Sequence, residues 1–296
     1  MIHCLGAGAR LVGRSHECDF PPEVQALPVV TSTRIDASQS GAQIQAAVSQ
    51  ATAQQQALFQ LDARQIRALQ PDLILTQGQC DVCAVSPADL AAVLADWSGP
   101  APTVISLAPE RFADLWTDLR RVGAALGLPD EGRSVISTLK TRVVDVISQV
   151  ARAKEKPTVA CLEWLDPLMG AGNWIPELVE LAGGTPVLGL AGVHSGWITW
   201  DQLLATNPDV LIGLPCGFDL PRSRSALEAF LKLPQAGSLQ AVRTGRVFAA
   251  DGNAFFNRPG PRLVDSLELL TEVLHPTLYP KPQFAGSGWV PVPAVR

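Results

Sequence analysis

The chain has 296 residues and is 47% hydrophobic, so it is long enough for two compact lobes that each bury a core. Its formal net charge of −5 argues against a nucleic-acid partner, because phosphate binding depends on clustered lysine and arginine side chains. No segment approaches the roughly 18 uninterrupted apolar residues that a membrane helix needs, so the sequence predicts no membrane span.

The first residues of the chain carry neither the basic region nor the long apolar run of a secretory signal. The six cysteines also lack the regular spacing of a small disulfide scaffold, which fits a reducing compartment. These observations predict a cytoplasmic protein, or a periplasmic one if the N terminus is truncated.

The first part of the chain alternates short apolar runs with helical patterns. A regular alternation of strand and helix predicts a parallel sheet. Residues 1–128 are therefore predicted to form an N-terminal α/β lobe. Its predicted strands are 11–13, 28–31, 72–76 and 103–107, and its predicted helices are 41–57, 62–69, 87–97 and 111–126.

A long helix is predicted next, from about 131 to 154, because apolar residues recur there at helical spacing. The alternation then resumes. The sequence thus predicts two parallel-sheet α/β lobes, with a connecting segment at 129–156 and a C-terminal lobe at 157–296 that ends in a proline-rich tail. Predicted strands of this lobe are 158–163, 186–188, 209–214 and 246–250, and predicted helices are 174–182, 200–206, 224–232 and 260–274.

Cys80 and Cys83 directly follow the predicted strand at 72–76. Ligands of open α/β sheets bind beyond the carboxyl ends of parallel strands, so both thiols are expected to face a binding cleft. Other polar or thiol side chains follow predicted strands in the same way. The residues expected to converge are His16, Cys18, Cys80, Cys83, Glu163 and Cys216.

The cysteines and the histidine of this set predict either a metal or redox site, or a thiol-lined pocket without metal. Thiolate and imidazole ligands suit zinc and iron, and His16 with Cys18 could complete a four-ligand site around Cys80 and Cys83. Thiols are equally common as small buried hydrophobic groups.

His16 has further possible roles. Its imidazole could coordinate the cobalt of a corrinoid, donate a hydrogen bond to the corrinoid amides, or cap the following turn. Glu17 and Asp19 would then orient His16 or bind polar groups, or else be solvated.

Aromatic residues are concentrated in the second half of the chain, near predicted strand ends. A flat macrocycle such as a corrinoid is held by aromatic faces and a few polar groups. About half of these rings are expected to close the core instead, and Trp164, Trp197 and Phe256 are the first choices for ligand contact. The full set is Trp164, Trp174, Trp197, Trp200, Phe218, Phe255 and Phe256.

Nearly the whole chain resembles the cobalamin-binding and siderophore-binding proteins of bacterial ABC importers. The segments that carry this resemblance are 11–24, 66–74, 177–185 and 198–204. Three further features are most similar to the cobalamin-binding branch: the His16-Glu17-Cys18-Asp19 loop, the Cys80/Cys83 pair, and segment 253–262 with its Arg258.

The resemblance implies two lobes with a ligand cleft between them and a non-catalytic protein that binds cobalamin or a related corrinoid. Exported relatives dock on a permease through one acid on each lobe, which here would be Asp89 and Asp201. Compared with the family pattern, the sequence is expected to begin inside the family's first helix, after its first strand and export signal. The implied role is a cytoplasmic carrier or store, or the substrate-binding component of an ABC importer.

Two other functions fit the same residues. A metal-binding or thiol redox protein would hold zinc or iron at the Cys/His cluster, and an enzyme would use the thiols to remove the upper ligand of a corrinoid. No Gly-x-Ser-x-Gly nucleophile elbow occurs in the sequence, and no catalytic residue is predicted. Colour separates the alternatives, because a corrinoid protein is red, an iron–sulfur protein brown and a zinc protein colourless.

Overall fold

The computed structural model describes residues 1–54, 56–78 and 87–293. The chain folds into two compact units. The first unit comprises Met1–Pro109 and Trp116–Ile136, and the second comprises Glu110–Leu115 and Ser137–Arg296. The predicted α/β class is confirmed, since strands and helices alternate in both units.

The first unit contains two small sheets. Strands β1 and β2 pair antiparallel, whereas β3 and β4 pair in parallel with Leu73 opposite Thr103. The elements of this unit are β1 (Thr31–Thr33), α1 (Gly41–Ala53), β2 (Phe59–Leu61), α2 (Ala63–Leu69), β3 (Leu73–Gln77), α3 (Pro87–Ala95), β4 (Thr103–Leu107) and α4 (Asp114–Ala125).

The strand predicted at 11–13 does not form. Arg14 instead makes a single bridge with Val29, in which the Arg14 N–H donates to Pro28 O and the Val30 N–H donates to Arg14 O. Extending this parallel ladder toward residue 12 requires an N–H at position 28, and proline has none. The segment before the His16 loop is therefore irregular.

The connecting helix α5 runs from Pro129 to Val150, which is shorter at its end than the predicted 131–154. Pro129 occupies the first helical position, where its missing N–H costs nothing. Further along the helix, the Arg142 guanidinium donates to Asp265 and Glu268 of α10 (Leu263–Leu274) within the second unit. Hydrogen bonding to Glu268 is the largest of the effects that raise the pKa of Arg142.

The second unit is built on one mixed sheet. Its strand order is β11-β10-β9-β5-β6-β8, and β7 also pairs with β5. Strands β5, β7, β9 and β10 are parallel, while β6, β8 and β11 are antiparallel to their neighbours. The strands are β5 (Thr158–Leu165), β6 (Leu168–Gly170), β7 (Thr185–Pro186), β8 (Gly196–Trp197), β9 (Val210–Gly213), β10 (Val247–Ala250) and β11 (Trp289–Pro291).

The sequence thus predicted the parallel strands at the centre of this sheet. It did not predict the antiparallel strands β6, β8 and β11. Besides α10, the second unit contains the helices α6 (Ile175–Leu181), α7 (Trp200–Thr206), α8 (Leu220–Leu231) and α9 (Gln240–Arg243). Leu162, Leu211 and Leu227 are fully buried in the core between β5, β9 and α8. Among the described residues, no helix is both long and apolar enough to cross a membrane.

Candidate ligand-binding site

The carboxyl ends of β5, β9 and β10 lie side by side along one edge of the second sheet. The backbone continues the β5–β9 pairing past the strand end, because the Cys216 N–H donates to Glu163 O over 3.1 Å. Glu163 and Cys216, which were predicted to converge, are therefore neighbours. Such an edge is where open α/β sheets bind ligands.

Glu163 occupies a β-bulge. Across the β5–β6 ladder, Leu162 pairs with Gly170 and Trp164 pairs with Met169, so Glu163 has no partner of its own in this ladder. A bulge redirects the side chain that it carries and is common beside binding sites. The regular alternation of β5 is broken at the residue that carries the carboxylate.

The Glu163 carboxylate is held by Ser195. The Ser195 hydroxyl donates to Glu163 Oε2 over 2.6 Å and accepts a hydrogen bond of 2.9 Å from the Gly172 N–H. Burial raises the pKa of Glu163, and the hydrogen bond from Ser195 and the nearby His194 oppose that shift. The structure thus keeps an ionisable carboxyl group, half-buried, at the ligand edge.

Gly172 makes this arrangement possible. A Cβ atom at this position would overlap the Val193 carbonyl oxygen and would lie 2.9 Å from Ser195 N. The same close approach of the two backbone segments lets the Asn173 N–H donate to Val193 O over 2.7 Å. Only glycine allows the loop that carries Ser195 to come this close.

Replacing Gly172 by alanine should therefore push the Ser195 loop away from β6. We expect a loss of about 1–2 kcal/mol of unfolding free energy, from steric overlap and from the broken hydrogen bond to Ser195. Chemical denaturation measures the loss, and Gly237→Ala is the matched control because nothing lies within 4 Å of a Cβ atom there. An unchanged denaturation midpoint would contradict this explanation.

The loop 187–197 exposes large apolar side chains. Leu190 is 69% exposed, Val193 is 52% exposed and Trp197 is 51% exposed. Trp197 lies in β8 opposite Met169, which itself pairs with Trp164 next to the bulge. We call Leu190, Val193 and Trp197 the rim-loop residues; they offer apolar surface on the loop that also carries Ser195, the partner of Glu163.

The other predicted aromatic contacts are largely structural. Trp164 is 8% exposed, and its ring meets Phe218 edge to face with centroids 5.3 Å apart. Trp200 stacks on Phe230 at 4.9 Å and packs against the main core. Trp174 is buried. These rings close the core near the ligand edge and offer a ligand little surface.

Phe256 is 0% exposed. Its carbonyl accepts a 2.9 Å hydrogen bond from Trp174 Nε1. Phe255 is half-buried and packs edge to face on Phe284 at 5.6 Å. A fully buried ring has no surface with which to contact a ligand in this structure, so Phe256 is left out of the site proposed below.

Arginines follow the same edge beyond β9 and β10. The Arg222 guanidinium carbon lies 3.6 Å from the centre of the Phe218 ring, and Arg258 donates to Asn253 Oδ1 over 2.7 Å. Burial raises the pKa of Asp251, which follows β10, and the Asp219 carboxylate adds to that shift. Charge therefore varies along the edge, with Glu163 at β5 and arginines past β9 and β10.

His16 is positioned by β1 of the first unit. The backbone N–H of His16 donates to Thr31 Oγ1 over 2.9 Å, and its ring Nδ1 lies 2.6 Å from the same oxygen. Its ring packs on Phe59 with centroids 5.2 Å apart. Within the described part of the chain, its Nε2 atom is buried and makes no hydrogen bond, although Glu17 Oε1 is 3.5 Å away.

The rest of this loop is more open to solvent. Cys18 is exposed with a free thiol, Glu17 is exposed and Asp19 is half-buried. The whole loop stays a predicted ligand contact.

The predicted metal site is not seen among the residues described. Cys80 and Cys83 lie outside the described ranges. In residues 1–54, 56–78 and 87–293, no group of three or more His, Cys, Asp or Glu side chains could hold a metal ion. Cys161 is buried in β5, and burial raises the pKa of its thiol to about 12, so that thiol stays protonated.

The predicted docking acids lie at the starts of two helices. Asp89 is half-buried in the first turn of α3, and Asp201 is exposed in the first turn of α7. An acid in a first helical turn is also stabilised by the helix dipole. Their role in docking stays a prediction.

The predicted site did not include Ser195, Gly172, Leu190 or Val193. A Gly-x-Gly segment after β6 was a possible signal for Gly172, because paired glycines mark places where another backbone approaches closely. Nothing in the local sequence marks Ser195, whose partner Glu163 is 32 residues away.

The chain matches the model of the periplasmic binding protein family over residues 2–254. It therefore belongs to this family. The predicted resemblance is confirmed at the level of the family, and a family of binding proteins agrees with the prediction that the protein is not an enzyme. No curated protein matches the sequence significantly.

Solved structures of the same fold come from several bacteria. The chain is 23% identical to the apo periplasmic heme-binding protein RhuT from Roseiflexus sp. RS-1, with a TM-score of 0.69 over 94% of each chain. A periplasmic heme-binding protein from Pseudomonas aeruginosa shares 20% identity and a TM-score of 0.68 over 95% of this chain and 89% of the other. The periplasmic vitamin B12 binding protein BtuF of Vibrio cholerae shares 19% identity and a TM-score of 0.63 over 92% and 91%.

The predicted cytoplasmic location is wrong. The family is one of periplasmic binding proteins, and the similar structures from Roseiflexus, Pseudomonas and Vibrio are all named as periplasmic. The prediction depended on the opening residues, which record only where this sequence begins.

Proposed function

We propose that the protein binds cobalamin or a close corrinoid and delivers it to the permease of an ABC importer, as its substrate-binding component. Family membership supports the binding role. Other similar structures are named an ABC transporter substrate-binding protein from Listeria monocytogenes and an ABC-type Fe3+-hydroxamate transport system from Saccharomonospora viridis, which supports the link to a permease.

The observation that carries the choice of a macrocycle is the exposed Trp197 in β8, two residues after Ser195. A tryptophan that is 51% exposed, on a loop with two further exposed apolar residues, offers a flat apolar surface that water covers poorly. Heme and vitamin B12, the ligands named for similar structures, are both large flat macrocycles. A corrinoid face laid on Trp197 would remove this surface from water.

Polar groups beside Trp197 suit the rim of a corrinoid. Cobalamin carries amide side chains around its macrocycle, and a few placed polar groups usually fix the orientation of such a ligand. Ser195, which directly precedes β8, and its partner Glu163 would supply such groups. Arg222 and Arg258, further along the edge, would suit an anionic group such as the phosphodiester of the cobalamin nucleotide loop.

Absorbance titration of the purified protein with cyanocobalamin tests this function. We expect saturable binding of one cobalamin per chain. Hemin titrated in parallel serves as the competing macrocycle. Absence of cobalamin binding at high micromolar ligand would overturn the proposal, and tight binding of hemin alone would replace corrinoid with heme as the ligand.

A further inference from the structure

The Glu163 carboxylate is hydrogen-bonded to Ser195, which lies two residues before the exposed Trp197. Carboxylates on a strand that leads into a binding edge are normally paired with cations, because an ionised carboxylate loses hydration when it is buried. Here the bonded partner of the carboxylate is the neutral hydroxyl of Ser195. When it is ionised, the carboxylate can therefore interact with a polar or charged group of a ligand, and His194 is the nearby ionisable group that also acts on it.

The hydrogen-bond directions at this carboxylate are fixed. The Ser195 hydroxyl has one hydrogen, which goes to Glu163 Oε2, and the same hydroxyl oxygen receives the Gly172 N–H. A hydroxyl bonded in this way holds Glu163 as an acceptor. An ionised carboxylate has two oxygens and accepts more than one hydrogen bond, so capacity remains for a donor on a ligand.

The backbone fixes the position of the carboxylate. The bulge at Glu163 turns its side chain out of the ladder, and the Cys216 N–H bonds to its backbone carbonyl. Gly172 brings Ser195 within reach from the other side. The position of the carboxylate is thus fixed by β5 itself, by residues that follow β6 and β9, and by loop 187–197. Such pre-organisation favours selective recognition.

We infer that Glu163 is a specificity-determining residue, which accepts a hydrogen bond from an amide on the ligand rim and repels a ligand that carries a carboxylate at that point. This inference rests on the proposed corrinoid function. The rim of cobalamin carries amides, whereas heme carries two carboxylates. Like charges brought together in a partly desolvated site lower affinity strongly, and specificity often depends on such a repulsive element.

The preference for a ligand amide over a ligand carboxylate is expected to depend on pH. His194, from loop 187–197, is the neighbouring ionisable group that acts on Glu163, and the Cys216 thiol follows β9 alongside. Burial raises the pKa of Glu163, so its carboxyl is protonated at a higher pH than an exposed one. As the pH falls through that pKa, repulsion of a carboxylate disappears and an acceptor for an amide is lost.

Matched probes are available in cyanocobalamin and its monocarboxylic acid derivatives, in which one peripheral amide is replaced by a carboxylate. Each is titrated by calorimetry against the wild type, Glu163→Gln and Ser195→Ala at about pH 7.5 and about pH 5. Glutamine removes the charge but keeps the shape and an acceptor for Ser195. Ser195→Ala keeps the carboxyl group and removes the hydroxyl that bonds to it and to the Gly172 N–H.

At about pH 7.5 the wild type should bind at least one of the acids about tenfold or more weakly than cyanocobalamin. Glu163→Gln should reduce this ratio to about threefold or less, whereas Ser195→Ala should retain most of it. As the pH is lowered, the ratio should narrow in the wild type, because protonation removes the charge of Glu163, and it should stay unchanged in Glu163→Gln.

Equal binding of cyanocobalamin and every acid by the wild type overturns the inference, and so does a ratio that persists in Glu163→Gln. Both results leave the proposed function intact, because cyanocobalamin still binds. Absence of cyanocobalamin binding to the wild type instead overturns the proposed function together with this inference.

Discussion

Trp197→Ala should weaken cobalamin binding by about 1–3 kcal/mol, which is roughly 5- to 150-fold in Kd. The indole is half exposed in the free protein, and a corrinoid laid on it would bury both surfaces. Replacing it by alanine removes that contact while the rest of β8 keeps its pairing with β6. Calorimetric titration with cyanocobalamin measures the change directly.

The controls for Trp197 follow from its exposure. An exposed side chain contributes little to folding, so the unfolding free energy of Trp197→Ala should stay within about 0.5 kcal/mol of the wild type. Trp197→Phe keeps an aromatic face and should recover most of the affinity. If Trp197→Ala binds cobalamin as tightly as the wild type does, the macrocycle does not lie on this residue.

Phe256→Ala should destabilise the protein by about 3–5 kcal/mol, because it empties the space of a fully buried ring. The ring follows β10 in a short π-helical turn, Gly252–Phe256, and the carbonyl of the same residue accepts the Trp174 hydrogen bond. Unfolding by urea, followed by tryptophan fluorescence, measures the loss.

The neighbouring ring is the natural comparison for Phe256. Phe255 is half-buried and meets Phe284 only edge to face, so Phe255→Ala should cost less than Phe256→Ala. Equal losses from the two variants would contradict the deeper burial of Phe256, which is the reason why Phe256 is not part of the proposed ligand site.

The central strands were predictable from the sequence because they are buried on both faces. β5, β9 and β10 read as short apolar runs between helical patterns, which is typical of parallel strands. β6 and β8 were missed because they have three and two residues and end or begin at glycine. Such short strands form through pairing with β5 and with each other, and local sequence carries little of that information.

The site was predictable only in part. The sequence predicted that Glu163 and Cys216 would be neighbours, because Glu163 ends one predicted central strand and Cys216 follows another. Parallel pairing of these strands brings their carboxyl ends together. Trp197 and Phe256 carried the same signal in the sequence, namely an aromatic residue near a strand end. Their opposite burial depends on how loop 187–197 and the turn after β10 pack, which is a tertiary property.

A crystal structure of the protein with cyanocobalamin would show the ligand contacts directly. We expect the corrin ring to contact the Trp197 indole within about 4 Å and a peripheral amide nitrogen to lie within hydrogen-bond distance of the Glu163 carboxylate. A corrinoid bound away from Trp197, with the Glu163–Ser195 pair untouched, would contradict this expectation.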